Sequence, residues 1–121
     1  MIGVGIDAVD VERFRRSLER TPSLGPRLFT PAELAEAMKL VDPVPRLASR
    51  FAAKEAVMKA LSVGLGAFGF HDVEVTRAES GAPVLRLDGA AVTLAAERGV
   101  TSWRLSLTHT AITAQAIAVA L

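Results

Sequence analysis

Two acidic residues, Asp7 and Glu55, are candidates for metal-dependent chemistry. Asp7 follows the short run "IGVGI", which predicts a strand that ends at this carboxylate. Glu55 lies in "RFAAKEAVMKAL", a segment with helical periodicity. Two carboxylates suit Mg²⁺, which keeps several waters and commonly binds one or two carboxylates together with substrate phosphates. A magnesium site shared between a strand and a helix is one interpretation, and two unrelated surface acids are the other.

Cations surround Glu55 in the same predicted helix. At about 100° per residue, Lys54 falls inside an apolar stripe, Glu55 and Lys59 share one edge of it, and Arg46 and Arg50 share the other. The stripe consists of Leu47, Phe51, Met58 and Leu61. One interpretation is a solvated helix with a Glu55–Lys59 pair and a Lys54 ammonium that reaches water along its own stem. The other is a cleft in which Arg50, Lys54 and Lys59 face the phosphates of an anionic ligand.

The composition predicts a single domain, residues 1–121, that assembles into a homo-oligomer. Half of the residues are hydrophobic and only 22% are charged. No apolar stretch reaches the roughly 20 residues that a membrane span needs, so we expect a subunit interface and no membrane association. The N-terminus shows no secretion signal, which favours a cytoplasmic protein. The absence of cysteine excludes disulfides and zinc–thiolate sites.

The distribution of charge indicates what kind of partner the protein binds. The net charge of +1 is too small to suggest nucleic-acid binding. Residues 13–59, however, hold ten of the fourteen Lys and Arg residues against five acids. This segment would attract an anionic ligand or an acidic protein.

The order of predicted elements indicates an α+β fold, in which an antiparallel sheet packs against one long helix. Asp10 is a candidate N-cap for a helix that ends near Arg20, and Thr30 and Glu33 form a capping-box pattern for a second helix that fades near Val41. The segment "TPSLGP" separates these two helices. The long helix follows "DPVP", and an alanine-rich helix runs from Asp88 to Gly99. Strands are predicted at "HDVEVTR", "VLRLD", "SWRLSLTHT" and "ITAQAIAVAL".

The first predicted helix is amphipathic and cationic. Its apolar positions are Val11, Phe14 and Leu18. Arg13, Arg16 and Arg20 then share a basic side. Such a side is either a solvated surface or a contact for an acidic partner.

Three motifs, read together, resemble the holo-acyl-carrier-protein synthase family of 4'-phosphopantetheinyl transferases. They are "GIDAVDVERF" at 5–14, "RFAAKEAVMKAL" at 50–61 and "SLTHT" at 106–110, with "FHDVEV" and "GAPVLRL" in family-like places between them. The resemblance covers almost the whole chain. It implies transfer of the phosphopantetheine arm of coenzyme A to a serine of an apo acyl carrier protein, or of a carrier domain of a fatty acid synthase. It also implies a homotrimer with active sites between neighbouring subunits.

The resemblance also implies roles for individual residues. Asp7 and Glu55 would bind Mg²⁺, Lys59 would stabilise developing negative charge, and either Glu55 or a metal-bound water would accept the serine proton. The candidates for gripping the phosphates of coenzyme A are Arg46, Arg50, Lys54 and His109. The candidates for contacting the acidic carrier protein are Arg13, Arg16 and Arg20. The other histidine, His71, is interpreted as structural or exposed.

Two other functions and one other role for Lys54 stay open at this point. A non-catalytic module that binds nucleotide or carrier protein would need the cations but not the pair of acids. A magnesium-dependent phosphohydrolase that acts on coenzyme A would need both. Lys54 would equally serve as a packing residue, with its stem buried and its ammonium paired with a backbone carbonyl or an acid.

Overall fold

A computed structural model describes all residues, 1–121, as five strands and five helices. The strands are β1 (Gly3–Asp10), β2 (Val73–Arg77), β3 (Pro83–Leu87), β4 (Trp103–His109) and β5 (Thr113–Ala120). The helices are α1 (Val11–Arg20), α2 (Leu24–Leu28), α3 (Pro31–Ala37), α4 (Val44–Ala60) and α5 (Gly89–Glu97). One short 3₁₀ turn, Phe70–Asp72, precedes β2.

The strands form two antiparallel sheets. The larger sheet has the order β1-β5-β4, and β2 and β3 form a separate hairpin. These pairings confirm the mixed α+β class and its antiparallel strands. They correct the expectation of a single sheet, because hairpin strands pair locally and need no partner from the larger sheet.

Helix α4 lies directly on the backbone of β1. A β-carbon at Gly3 or Gly5 would overlap the carbonyl oxygens of Ala60 and Ala56, so only glycine permits this approach. Alternate residues of a strand point to the same face. Asp7 is therefore on the face of β1 that is turned towards α4, and this packing brings its carboxylate to the helix that carries Glu55.

Both sides of α4 contribute to the hydrophobic core. One cluster lies between α4, β5 and the hairpin and includes Val57, Val73 and Val75. The other lies between α4, α1 and the turn that follows α2. Of the four residues in the apolar stripe predicted for the long helix, Leu47, Met58 and Leu61 are buried and Phe51 is half-buried.

The predicted helix caps are confirmed. The Asp10 carboxylate accepts from the backbone N–H of Arg13 at 2.8 Å. The Thr30 hydroxyl accepts from the N–H of Glu33 at 3.2 Å, and the Glu33 carboxylate accepts from the N–H of Thr30 at 2.9 Å. Asp88 caps α5, and Gly99 has a positive φ of 77°, as the end of that helix requires.

Three predicted boundaries were wrong. Strand β1 continues beyond Asp7 to Asp10, because its pairing with β5 extends to the Asp10–Thr113 pair. The segment expected to be a break contains α2, since Pro26 lies in the first turn of a helix, where proline is tolerated. Helix α3 ends at Ala37 rather than near Val41, and turns occupy the residues up to the start of α4.

Candidate active site

Asp7 and Glu55 line one open cleft of about 510 Å³. Both acids come from the same chain, so this cleft needs no second subunit to bring them together. Strand β1 contributes Asp7 to the cleft, and α4 contributes Glu55, one helical turn after Phe51. The other side chains in the lining include Asp10, Arg13, Phe14, Ser17 and Phe51.

Lys59 contacts Asp7 rather than Glu55. Its ammonium donates to Asp7 Oδ1 at 2.9 Å and to the backbone carbonyl of Ile6 at 2.9 Å. Glu55 forms no ion pair, so the interpretation that included a Glu55–Lys59 pair is wrong. Partial burial raises the pKa of Glu55, the nearby charge of Asp7 raises it further, and Lys59 opposes both.

The donor set of this cleft fits a hard divalent cation. The cleft offers the carboxylate oxygens of Asp7 and Glu55. The chain has no group of three or more His, Cys, Asp or Glu residues arranged to hold a metal, so a metal bound here would need other ligands. Mg²⁺ commonly uses one or two carboxylates and completes its shell with water and substrate phosphates. Asp7 and Glu55 line the same cleft, and after burial the charge of Asp7 is the second cause of the raised pKa of Glu55.

A second pocket, of about 170 Å³, has three arginines in its lining. It contains Arg46, Arg50 and His109, so three of the four residues predicted to grip coenzyme A phosphates lie together. It also contains Arg77, the last residue of β2, which sequence reasoning missed. Its only sequence signal was a charge at the end of a predicted strand, and folding of the β2–β3 hairpin is what brings it to α4.

The charge in this second pocket is only partly compensated. The Arg50 side chain is 7% exposed, its Nε has no hydrogen-bond partner, and its guanidinium lies 3.7 Å from Glu36. Burial lowers the pKa of Arg50, Glu36 opposes this shift, and the neighbouring Arg46 and Arg77 lower it further. Glu36 also pairs with Arg46. A bound anion would relieve the repulsion among the three guanidinium groups.

Lys54, the fourth predicted phosphate ligand, is not available to a ligand. Its side chain is 0% exposed, and its ammonium donates to Glu33 Oε1 at 2.8 Å and to the carbonyls of Phe70 and Val73 at 2.8 and 2.5 Å. Burial lowers the pKa of this ammonium, and Glu33 opposes the shift. All three N–H groups are used within the chain, so the role in gripping phosphates and the solvated position were both wrong. The packing role was the correct interpretation.

The basic side of α1 is free of ion pairs. Arg13 lines the Asp7–Glu55 cleft, and Arg16 and Arg20 are exposed. None of the three pairs with an acid, whereas Arg15, on another side of the helix, pairs with Asp42 at 2.7 Å. The three guanidinium groups therefore form a row without ion pairs, which runs along α1 from the edge of the cleft.

His71 has the structural position expected of it. It is exposed, and its Nε2 lies 2.7 Å from the carbonyl oxygen of Pro26, which joins the 3₁₀ turn to α2. None of the five helices has both the length and the apolar character that crossing a bilayer requires.

Comparison with known proteins identifies the family of this chain. The family model of the 4'-phosphopantetheinyl transferase superfamily matches residues 3–120. The holo-acyl-carrier-protein synthase of Clavibacter michiganensis is 50% identical over 117 residues, which are 97% of this chain and 92% of that relative. The crystal structure of the Neisseria meningitidis holo-acyl-carrier-protein synthase has a TM-score of 0.91 and 32% identity, and covers 100% of this chain and 98% of its own.

A further solved structure contains a ligand. The Helicobacter pylori holo-acyl-carrier-protein synthase, in complex with coenzyme A, matches with a TM-score of 0.86 and 28% identity and covers 98% of this chain and 99% of its own. The family match spans nearly the whole chain, and the identity to curated relatives is high. The chain therefore belongs to the 4'-phosphopantetheinyl transferase superfamily.

Proposed function

We propose that this protein transfers the 4'-phosphopantetheine arm of coenzyme A to a serine of an apo acyl carrier protein, with Asp7 and Glu55 holding Mg²⁺. The observation that carries the proposal is the single cleft that contains both acids, with the Lys59 ammonium on one of them. Relatives that are about half identical to this chain are holo-acyl-carrier-protein synthases, and one structural relative binds coenzyme A. A module that only bound nucleotide would have no use for this pair of acids.

The chemistry is an in-line displacement at the β-phosphorus of coenzyme A. The serine Oγ forms a bond to that phosphorus, the bond from phosphorus to the oxygen bridging the two phosphates breaks, and adenosine 3',5'-bisphosphate leaves with the bond electrons. The serine proton passes to the Glu55 carboxylate or to a water molecule in the same displacement. Mg²⁺, when bound, would neutralise negative charge that develops during the displacement.

The protein supplies binding and orientation for this displacement. In our proposal Lys59 stabilises negative charge that develops on the diphosphate. Glu55 is one candidate acceptor for the serine proton, although a carboxylate that also binds the metal is a weaker base than a free one. In our proposal Arg46, Arg50 and His109, joined by Arg77, bind phosphate of the donor in the second pocket.

The basic side of α1 is the proposed docking site for the carrier. Carrier proteins of this class are acidic, so Arg13, Arg16 and Arg20 would meet negative charge, which accelerates encounter more than it adds affinity. Arg13 lines the active cleft, so a carrier bound along α1 would have its serine close to Asp7 and Glu55. The carrier is a free protein or a carrier domain of a larger fatty acid synthase.

We further propose that residues 1–121 are one transferase domain that forms a homotrimer in the cytoplasm. On the side of the larger sheet that is turned away from α4, the part formed by β1 and the end of β5 is largely apolar and exposed. On it Val4 is 49% exposed, Ile6 61% and Ile117 37%. A second copy of the chain would bury this face. The cleft and the cationic pocket share no lining residue, which suits a donor that contacts neighbouring subunits.

The transfer reaction is tested by weighing the carrier. The protein is incubated with coenzyme A, Mg²⁺ and an apo carrier protein, and the carrier is then measured by mass spectrometry. A gain of one phosphopantetheine group is expected. Release of adenosine 3',5'-bisphosphate without that gain would indicate hydrolysis instead, and neither product would indicate a module that only binds.

The proposed trimer is tested by sedimentation equilibrium of the wild type and of Val4→Lys. The substitution places a charge on the exposed sheet face, so the wild type should have the mass of three chains and the variant that of one. A wild-type monomer would contradict the trimer. If the site is shared between subunits, mixing Glu55→Gln with Arg50→Ala chains should restore part of the activity that each variant lacks.

A further inference from the structure

Lys59 is held on β1 by two acceptors that differ in kind. One is the Asp7 carboxylate, and the other is the backbone carbonyl of Ile6, each 2.9 Å from the ammonium. The Lys59 side chain is 52% exposed, whereas that of Asp7 is 17% exposed. The lysine therefore reaches from the open side of the helix towards a less accessible carboxylate.

The contact with Lys59 makes the two acids of the cleft differ in their ion pairing. Asp7 has a cation at hydrogen-bond distance, and Glu55 has none, although Glu55 is only one helical turn from Lys59. The negative charge of Asp7 is compensated within the chain. A divalent cation that approaches Asp7 would meet a positive charge already bound there, and the repulsion between the two cations opposes its binding.

We propose that Lys59 is an exchangeable counter-ion of Asp7, which holds this carboxylate in the free enzyme and moves to the diphosphate of the donor when a divalent cation binds Asp7. The inference rests on the proposed function and concerns the order of binding rather than the transfer step. Its consequence is that the metal and coenzyme A bind cooperatively, because the donor provides Lys59 with a new acceptor.

The structure favours an exchange of this kind. The lysine has four rotatable bonds and is half exposed, so its ammonium can move to a neighbouring anion without any change in the backbone. The Ile6 carbonyl satisfies one N–H independently of Asp7, so the ammonium keeps one acceptor while the carboxylate is released. A diphosphate oxygen is as good an acceptor for a charged donor as a carboxylate oxygen.

The test is the affinity of the protein for Mn²⁺, measured by electron paramagnetic resonance without carrier protein, in the presence and absence of coenzyme A. Replacing Lys59 by Met should tighten Mn²⁺ binding to the free protein about threefold to fivefold, the worth of a half-exposed ion pair. It should also reduce the gain in Mn²⁺ affinity that coenzyme A produces. Lys59→Arg, which keeps the cation, should resemble the wild type in both respects.

Arg13→Met is the matched control, since it removes a cation from the same cleft that touches neither acid. It should change Mn²⁺ affinity much less than Lys59→Met does. Equal tightening by both variants, or none by Lys59→Met, would overturn the exchange. If Glu55→Gln still abolishes Mn²⁺ binding in that case, the proposed metal site stands. Absence of any Mn²⁺ binding that depends on Glu55 would overturn the metal site and the exchange together.

Discussion

Two lysines on α4 show how differently one helix can use the same residue type. Lys54 and Lys59 are five residues apart, which places them about 140° apart around the helix. The Lys54 ammonium is completely buried and donates to three acceptors, whereas Lys59 is 52% exposed and donates to two. The first joins segments of the core, and the second reaches the edge of the active cleft.

The surroundings of Lys54 explain why it is structural. Its partner Glu33 is itself 0% exposed and also accepts from the N–H groups of Thr30 and Val75. This one carboxylate thus connects the start of α3, the middle of α4 and β2. Removal of either partner of a buried ion pair strongly destabilises the protein, because the charge that remains is unpaired and cut off from water.

Replacing Lys54 should have the largest effect on stability. Lys54→Met leaves Glu33 buried without its cation, so the free energy of unfolding should fall by about 3–5 kcal/mol. Lys59→Met removes a half-exposed pair and should change it by less than about 1 kcal/mol. Urea denaturation of the two variants measures both values. Adding Glu33→Gln to Lys54→Met should cost less than the sum of the single changes, and equal stability of the two lysine variants would contradict this account.

Replacing the acids of the cleft should abolish activity and leave the protein folded, whereas replacing Lys54 lowers stability. Glu55→Gln or Asp7→Asn should lower kcat for transfer at least about 100-fold, because the charged site for Mg²⁺ would be lost. Circular dichroism and urea denaturation should show a protein that is still folded. Full transfer activity in either variant would eliminate the proposed metal site.

The contact between β1 and α4 should be sensitive to a single methyl group. Gly5→Ala places a β-carbon against the Ala56 carbonyl and should destabilise the protein by about 1–3 kcal/mol. It should also lower transfer activity, because the strand that carries Asp7 moves relative to the helix that carries Glu55. Gly64→Ala is the matched control, since nothing lies within 4 Å of its added carbon. Differential scanning calorimetry with parallel transfer assays measures both effects.

Removing Arg77 should weaken donor binding more than it slows transfer. Arg77→Ala deletes one cation from the pocket that contains Arg50, so the KM for coenzyme A should rise about fivefold to tenfold while kcat changes little. Arg86→Ala removes an arginine of the same hairpin that lines a different pocket and should leave KM unchanged. Equal KM values for both variants would remove Arg77 from the donor site.

The smallest expected effect is at the carrier surface. Arg13→Glu should weaken carrier association about fivefold and reduce its dependence on salt, while coenzyme A affinity stays the same. Lys39→Glu makes the same change of charge at an exposed position on the α3–α4 connection and should have no such effect. Titration calorimetry with the carrier protein and with coenzyme A measures the two affinities separately. A collapse of coenzyme A binding in Arg13→Glu would assign Arg13 to the donor instead.

Sequence patterns were most informative where a feature is local. The Thr30–Glu33 capping box and the Asp10 cap depend on hydrogen bonds between residues three positions apart, and both were predicted correctly. The end of β1 was wrong because the length of a strand depends on how far its partner, β5, continues beside it. Helix α2 was missed because five residues that include glycine and proline carry little helical signal.

The sequence by itself determined the two acids, the cations that accompany them and the family to which their motifs belong, since these follow from residue type and spacing. Tertiary structure alone decided that Lys54 is a core residue, that Lys59 turns to Asp7 and that Arg77 joins Arg46 and Arg50. Burial and ion pairing depend on which distant segments pack against a side chain. In this chain, Gly3 and Gly5 bring α4 onto β1, and this contact places Asp7 within reach of Lys59.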